Sequence, residues 1–581
     1  MADDNAGSGW LKLFPLLTDL RRSGPSDLAQ DGLAGTITAI LLIPQALAYA
    51  LLAGLPPEVG LYASVLPVIV YALLGSSRVL AVGPVAVAAV MVSAALIPYA
   101  GNDPARYLTG ALMLSGLSGV ILLAMAALKL GWLTHFISHP VLSGFTTGAA
   151  LYIIGTQLSG LTGIPVPRDA GADGIVQALF LGRDRLNLPT LAFGLGAMTL
   201  LFAARAPLQR LLTGFGLKRE TAGSIGRTAP LLLVIASTVL SSAFDAHGSW
   251  AVAVVGEIPH GLPRLSLRVL AEDGWQRLLA PAAMIAIIGY VESISVAKAL
   301  AFRRQEKIDP DRELLALGST NLIASVAGAM PVAGGFARSM VNYEAGARTQ
   351  LAAVVTALWV ALAALLFTGL LAPLPKAVLA AIIVVAVWQL VDFASLRHSW
   401  RYDRGDGAAQ AATIVGVLAL GVEGGLMIGA GLSLLLFLYR TSRPHIAVVG
   451  QVGDSEHFRN VLRHEVRTWP DLLLMRIDET LYFANAPRVE SELQAHIVEA
   501  RQPKDVVLVM SGVAYVDTSG LDVLEGLEQA LRQNGSRLHL AEVKGPVMDR
   551  LAGTDLLDAL GPQRVHLSAH RAIAAIRALG R

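Results

Sequence analysis

Ala81-Val-Gly-Pro-Val-Ala-Val-Ala-Ala-Val90 and Pro331-Val-Ala-Gly-Gly-Phe-Ala-Arg-Ser-Met340 decide how this chain is read. Each is a short apolar segment broken by glycine or proline near its start, and the second carries a charge, Arg338, at membrane depth. Short interrupted segments at matching places in two halves of a membrane chain point to a transporter's substrate site. Half-helices that begin inside the membrane aim unpaired N–H groups and positive dipole ends at a common point, which suits an anion. Arg338 adds a full positive charge there. The pair implies an anion transporter.

Composition agrees with a membrane chain. Of 581 residues, 54% are hydrophobic and only 15% charged, and the mean hydropathy is +0.58. No Asp, Glu, Lys or Arg occurs in 32–57, 79–102, 107–128 or 349–375. Each run can cross a hydrocarbon core, which takes about 20 apolar residues as helix. Fourteen candidate spans start near Gly32, Val59, Gly83, Tyr107, His139, Leu188, Thr228, Ala280, Leu314, Gly334, Leu351, Ala377, Gly407 and Gly424. Seven plus seven fits two repeats, and an odd repeat length forces the second to be inverted. The net charge of +2 decides little, because the placement of basic residues is what sets orientation. Arg210, Lys218, Arg219 and Arg227 follow span six; Arg303, Arg304, Lys307 and Arg312 follow span eight. Arg397, Arg401 and Arg404 follow span twelve, and Arg440 and Arg443 the last. All fall on one side if both termini are cytoplasmic, in a plasma (inner) membrane. Residues 1–30 read as a cytoplasmic segment, not a signal peptide, with 10–20 able to lie along the surface. The transport domain is expected over 31–440.

From about Pro444 the charges return and the apolar runs shorten to strand length, at 472–477, 506–510, 537–543 and 564–567. Helix-like stretches lie at 487–500, 521–533, 546–552 and 569–578. The alternation predicts a small cytoplasmic α/β domain over 445–581.

Glu292, in an apolar run, is costly as an ion at that depth, so it faces a cavity or holds a proton. Burial favours its neutral form and a nearby cation its charged form, so an arriving anion can change its protonation. The plain alternative is a helix-end residue in cytoplasmic water, with Lys298 close behind. For Arg338 the alternative is snorkelling to the interface. Gln45 and Tyr49 follow Pro44 at i and i+4, on one helix face. Both can donate to an anion oxygen, and both serve equally well as helix-packing groups. At the third span, the backbone N–H groups of Val85, Ala86 and Val87 would do the binding. Glu423 reads as a turn residue, and His135 and His139 as structural. Ser519 stands near a helix N-terminus, where a phosphate is stabilised; on spacing alone it reads as an N-cap. No metal-ligand spacing, phosphate loop or nucleophile–base motif stands out, so no metal, cofactor, nucleic-acid partner or enzyme activity is expected. The chain has no cysteine, which removes disulfides and thiol chemistry.

Several stretches resemble the SulP (sulfate permease) family. Ile43-Pro-Gln-Ala-Leu-Ala-Tyr-Ala-Leu-Leu-Ala-Gly-Leu-Pro-Pro-Glu-Val-Gly-Leu-Tyr62 is similar to its first-span signature. The likeness continues through Gly75-Ser-Ser-Arg-Val-Leu-Ala-Val-Gly-Pro84, Glu292-Ser-Ile-Ser-Val-Ala-Lys298 and Gly334-Gly-Phe-Ala-Arg-Ser-Met-Val-Asn342. The tail resembles the family's sulfate-transporter and anti-sigma-factor-antagonist (STAS) domain. The resemblance implies a seven-plus-seven inverted repeat divided into core and gate domains, elevator-like alternating access and a homodimer. It places Gln45, Tyr49, Ala86, Ala337 and Arg338 on the anion site and Glu292 on the coupling carboxylate. Ser519 matches the position phosphorylated in soluble antagonist proteins, which would make the tail a docking point for a regulatory protein. Where sulfate-type relatives often read Phe-Ser-Arg, this chain has Phe336-Ala-Arg338, one hydroxyl fewer. Proton-coupled sulfate uptake is the leading expectation. A bicarbonate, chloride or dicarboxylate carrier or exchanger is the nearest alternative, and a membrane-anchored signalling protein one from another class.

Overall fold

The structure is a computed structural model. It describes residues 14–101, 103–132, 138–167, 171–204, 213–214, 219–259, 261–263, 265–501 and 503–579. Residues 10–13, His135, Arg210 and Lys218 lie outside them. The chain divides into two units, Met1–Gly431 and Leu432–Arg581.

The first unit is helical. In order it runs α1 (Pro15–Arg22), α2 (Pro25–Leu52), α3 (Pro57–Tyr62), α4 (Leu66–Leu74), β1 (Val82–Gly83), α5 (Ala86–Ala100), α6 (Pro104–Ala127), α7 (His139–Thr162), α8 (Ala172–Leu181), α9 (Leu188–Ala204) and α10 (Arg219–Ala243). Its second half holds α11 (Trp275–Arg304), α12 (Pro310–Val326), β2 (Ala333–Gly334), α13 (Phe336–Glu344), α14 (Leu351–Leu366), α15 (Lys376–Val387) and α16 (Phe393–Tyr402). It closes with α17 (Arg404–Thr441), which runs on into the second unit and is broken at Gly421, φ 82°. Among the described residues eight helices are long and apolar enough to cross a bilayer, so this is a multi-pass membrane protein. Glu423 falls between the two segments of α17, Arg404–Val422 and Gly424–Thr441.

Local chemistry starts these helices. Asp103 and Asp309 each precede a proline at the first helical position, and each carboxylate accepts two N–H groups of the first turn. A carboxylate cap satisfies orphan donors, and a proline there forfeits no hydrogen bond. The expectation that spans one and nine start near Gly32 and Leu314 needs correction, since α2 begins at Pro25 and α12 at Pro310. The charge-free runs stop at Asp31 and Glu313, but both carboxyls are buried and hydrogen-bonded. Asp31 accepts from the Arg348 N–H (2.6 Å), the Thr349 N–H (3.1 Å) and the Thr349 hydroxyl (2.6 Å). Glu313 accepts from the Tyr71 hydroxyl (2.9 Å), the Ser76 N–H and hydroxyl (2.8 Å each) and the Ser77 N–H (3.1 Å). Buried charges persist where donors surround them, and here they tie α2 and α12 to the loops flanking the half-helices. Where α6 crosses α12, Gly119 and Gly318 face each other. A Cβ on Gly119 would lie 2.6 Å from the Leu322 nitrogen and one on Gly318 2.9 Å from that of Leu123. Small residues of this kind let membrane helices pack backbone to backbone.

The second unit carries a six-stranded sheet of β3 (Ile446–Gln451), β4 (Phe458–Asn460), β5 (Leu472–Ile477), β6 (Asp505–Val509), β7 (Arg537–Ala541) and β8 (Val565–His566), in the order β4-β3-β5-β6-β7-β8. Strands β5 to β8 run parallel, and β3 and β4 are antiparallel additions. Its helices are α18 (Ala486–Glu499), α19 (Thr518–Gln533), α20 (Gly545–Leu551), α21 (Asp555–Leu560) and α22 (Ala569–Leu579). Strand periodicity divides the core. Leu473, Met475 and Ile477 join Leu493, Leu524 and Leu531 on one face, while Leu472 and Leu474 join Ala572 and Ile576 on the other. Covering both faces is what a parallel sheet requires. Ser519 is not the N-cap of α19, as its spacing suggested. Asp517 takes that position, accepting from the Gly520 N–H (2.9 Å) and the Phe483 N–H (2.8 Å). A carboxylate with two oxygens satisfies both donors, and Ser519 falls at the second position of the first helical turn, half-buried.

Across β6, β7 and β8, Arg537 pairs with Asp505 (2.7 and 2.9 Å), and Asp505 meets His539 Nε2 (3.0 Å). His539 Nδ1 in turn lies 3.1 Å from His566 Nε2. Burial pushes both imidazoles below the ordinary histidine range, against the pull of Asp505 on His539. The unfolded chain therefore binds protons that the folded domain refuses. This contribution to stability is complete above about pH 6.5 and fades as pH falls through the lowered values. Hydrogen exchange over β7 and β8, corrected for intrinsic rates, should accelerate between about pH 7 and 5, and His566→Asn should flatten that dependence. An unchanged dependence in the variant would remove the histidine pair from the explanation.

Candidate functional site

Strands β1 and β2 are two residues each and pair antiparallel, Val82 with Gly334 and Gly83 with Ala333. The pairing sets the starts of α5 and α13 side by side in the interior. Neither helix has a side-chain cap, since Val85 and Gly335 occupy the two N-cap positions. Their first-turn N–H groups therefore have no intrahelical partner, and the dipole ends carry partial positive charge.

Arg338, in the first turn of α13, reaches across to the other half-helix. Its Nη1 donates to the Pro84 carbonyl at 2.5 Å. The residue is 2% exposed, and its Nε and Nη2 are buried without a hydrogen-bond partner. Snorkelling is therefore not what this side chain does. Two parallel donors of a planar guanidinium edge match two oxygens of one anion. Gly335 makes room for them, because a Cβ there would lie 2.9 Å from Nη2 and 3.2 Å from Cζ.

The guanidinium borders a cavity of about 40 Å³. Gln45 and Tyr49 of α2, Val85 and Ala86 at the start of α5, Glu292 of α11 and Ala337 of α13 line it with Arg338. Every transport-site residue expected from the sequence thus falls on one cavity. Ser519 lies in the other unit. Glu292 and Arg338 are near enough to feel each other's charge, as are Tyr49 and Arg338. Pro44 lies inside α2 immediately before Gln45, where it removes a helix hydrogen bond and favours a bend.

Another part of the cavity wall, Ala386, Val387 and Leu390 at the end of α15 and just beyond, has no signature in the sequence. These are apolar residues in an apolar run, and nothing local distinguishes them from lipid-facing neighbours. The Pro84 carbonyl was missed for a related reason, since its partner lies 254 residues away. A larger cavity, of about 330 Å³, shares Gln45, Ala337 and Ala386 with the first and continues past Leu41 and Pro230. A third, of about 280 Å³, lies beyond the opposite end of α2, between Leu51, Ser93, Gln157 and Pro167. The small site thus has an adjoining vestibule on the N-terminal side of α2, and a separate pocket lies toward its C-terminal end. Among the described residues no group of three or more His, Asp or Glu could hold a metal ion.

Known proteins resemble this chain along nearly all its length. The sulfate permease family matches residues 28–413, and the STAS domain matches residues 463–572. The chloroplastic sulfate transporter 4.1 of Arabidopsis thaliana is 32% identical over 573 residues, covering 97% of this chain and 82% of that protein. A probable sulfate transporter of Mycobacterium tuberculosis is 33% identical over 581 residues, covering 98% of each. Among solved structures, SLC26A9 superposes with a TM-score of 0.90 at 23% identity over 98% of this chain and 93% of that one. The transmembrane domain of a cyanobacterial bicarbonate transporter, BicA, gives a TM-score of 0.59 at 24% identity over 70% and 98%. At these identities the structural likeness speaks for the fold.

Gly335→Ala tests the geometry. The added methyl displaces the guanidinium edge, so oxyanion binding should weaken about tenfold, the scale of one lost charged hydrogen bond. Thermal stability should change little, because the flexible end of Arg338 absorbs the clash. Titration of purified protein with an oxyanion checks it; unchanged affinity would mean that the edge does not face the ligand.

Proposed function

This chain belongs to the sulfate permease family, and we propose that it carries an inorganic oxyanion, sulfate first, across a membrane together with protons. One observation supports this most: a guanidinium buried to 2% exposure, with two donors unpaired, between two uncapped helix starts. An unpaired buried cation is costly, and a bound anion offsets that cost. Gln45 and Tyr49 add an amide and a phenol, and the N–H groups at Val85, Ala86 and Ala337 complete the set. A cavity of about 40 Å³ suits a compact tetrahedral or trigonal ion better than a dicarboxylate.

Glu292 is the coupling group in this reading. It shares the cavity with Arg338, so an anion that takes up the arginine's charge favours the protonated carboxyl. Sulfate carries two negative charges. With one proton the load stays negative, and a negative-inside potential costs about 2.3 kcal/mol per charge per 100 mV. Two or more protons per sulfate avoid working against the potential. The helices form fourteen spans in two inverted sets of seven, and the helices that carry the two half-helix starts move against the α15 wall in an elevator-like step. Both termini are cytoplasmic in a plasma (inner) membrane, as the basic residues suggest. The protein is a homodimer, and the STAS domain binds a regulatory protein near Ser519.

The experiment is radiolabelled sulfate uptake into tight proteoliposomes under an inward proton gradient. Wild-type protein should show gradient-dependent uptake, and Glu292→Gln should lose it while Arg338→Ala loses uptake altogether. Absence of wild-type uptake, with bicarbonate taken up instead, would overturn sulfate as the substrate. Full gradient response in Glu292→Gln would overturn its coupling role.

A further inference from the structure

The two short strands are joined to their surroundings by a matched pair of serine hydroxyls. Ser293, on α11, donates to the Gly289 carbonyl one turn back (2.5 Å) and accepts from the Gly334 N–H of β2 (2.7 Å). Ser339, on α13, donates to the Gly335 carbonyl (2.7 Å) and accepts from the Ala81 N–H beside β1 (2.9 Å). Both serines are fully buried. A hydroxyl has one proton, and in each serine the helix carbonyl takes it. The oxygen is therefore left as an acceptor facing the strand, and the joint has a single hydrogen-bond sense.

The positions of these joints matter more than their number. Ser293 directly follows Glu292, and Gly334 precedes the two residues that open α13, which carries Arg338. The path from the carboxyl to the guanidinium is thus one peptide unit, one hydrogen bond and one helical turn. Ser339 directly follows Arg338 and holds the chain that leads through β1 to Val85 and Ala86. The Gly335 N–H completes the set by donating to the Ala81 carbonyl (3.1 Å). Glycine at 289 lets α11 approach closely, since a Cβ there would lie 3.3 Å from that of Ala333.

We propose that Ser293 is a positioning residue for transport: its hydroxyl fixes the strand that carries Arg338 against the helix that carries Glu292, and Ser339 does the same for the first half-helix. The inference rests on the proposed roles of Glu292 and Arg338 and goes beyond them. Without the Ser293 hydroxyl the Gly334 N–H is a buried donor with no acceptor, so β2 moves to find one. The spacing between carboxyl and guanidinium then changes, and with it both anion affinity and the pH at which the carboxyl gives up its proton.

Sulfate uptake by full-length protein in proteoliposomes, measured across sulfate concentration and pH, tests this with Ser293→Ala and Ser293→Thr. Ser115→Ala is the control, because that buried hydroxyl bonds the Ala329 carbonyl (2.9 Å) and touches neither joint. The expected result is about a tenfold higher KM and a displaced pH midpoint in Ser293→Ala, the scale set by one unpaired buried donor. Ser293→Thr, which keeps the hydroxyl, should restore both, and Ser115→Ala should alter neither. If Ser293→Ala does not fold, Ser293→Cys preserves the volume with a weaker acceptor and must show the same two changes. A Ser293 variant with wild-type KM and pH midpoint overturns the proposal, as does an equal shift in Ser115→Ala. Failure of the wild type to take up sulfate instead removes the functional reading on which the proposal rests.

Discussion

The hydrogen bond from Arg338 Nη1 to the Pro84 carbonyl carries a charged side chain across the two halves of the membrane unit at the point where their half-helices meet. Proline has no N–H, so position 84 contributes to the site only as an acceptor and by leaving the α5 start open. The bond directs the guanidinium along the line between the helices and leaves the opposite edge, Nε and Nη2, without partners. A buried cation is tolerated when it is paired and hydrogen-bonded. This one is half satisfied. The surrounding structure serves to keep it that way.

That support is polar and non-local. Asn321 holds Val332 by both its N–H (2.9 Å) and its carbonyl (3.0 Å), so the approach to β2 is gripped from α12. Asn342 donates to the Val79 carbonyl (3.1 Å) on the approach to β1. Asp31 and Glu313 then anchor the loops outside these grips. Irregular backbone at membrane depth has to be satisfied by protein, because lipid offers no hydrogen bonds. Each half-helix costs two short stretches of such backbone, and amide and carboxyl side chains supply the missing partners. Specific side-chain hydrogen bonds add to apolar packing in holding the broken segments in place. The apolar wall of α15 has the opposite character and offers the site no polar bond among the described residues.

Much of this could be read from the sequence, and what escaped has physical causes. Gly83-Pro84 and Gly334-Gly335 announce breaks in apolar runs, and Arg338 announces a charge with nowhere to go, so the half-helices were legible. Glu292 was legible for the same reason, as a lone carboxyl in an apolar run. Asp31 and Glu313 read as the limits of spans because hydropathy treats any charge as a boundary. Their donors come from residues more than 200 positions away, which no local window contains. In the second unit the parallel strands showed as apolar runs. The antiparallel β4 did not, because it is short, partly exposed and follows a polar turn. Asp517 outcompeted Ser519 for the cap since a carboxylate can serve two N–H donors at once, one of them from the distant Phe483.

The account stands on the claim that the free edge of Arg338 holds the anion. Equilibrium binding of radiolabelled sulfate to purified protein in detergent, wild type against Arg338→Gln, addresses it without any transport step. Saturable binding in the wild type that is lost in the variant, with the folded state intact by thermal melt, is the result predicted here. Equal binding by Arg338→Gln would place the anion elsewhere and contradict the account.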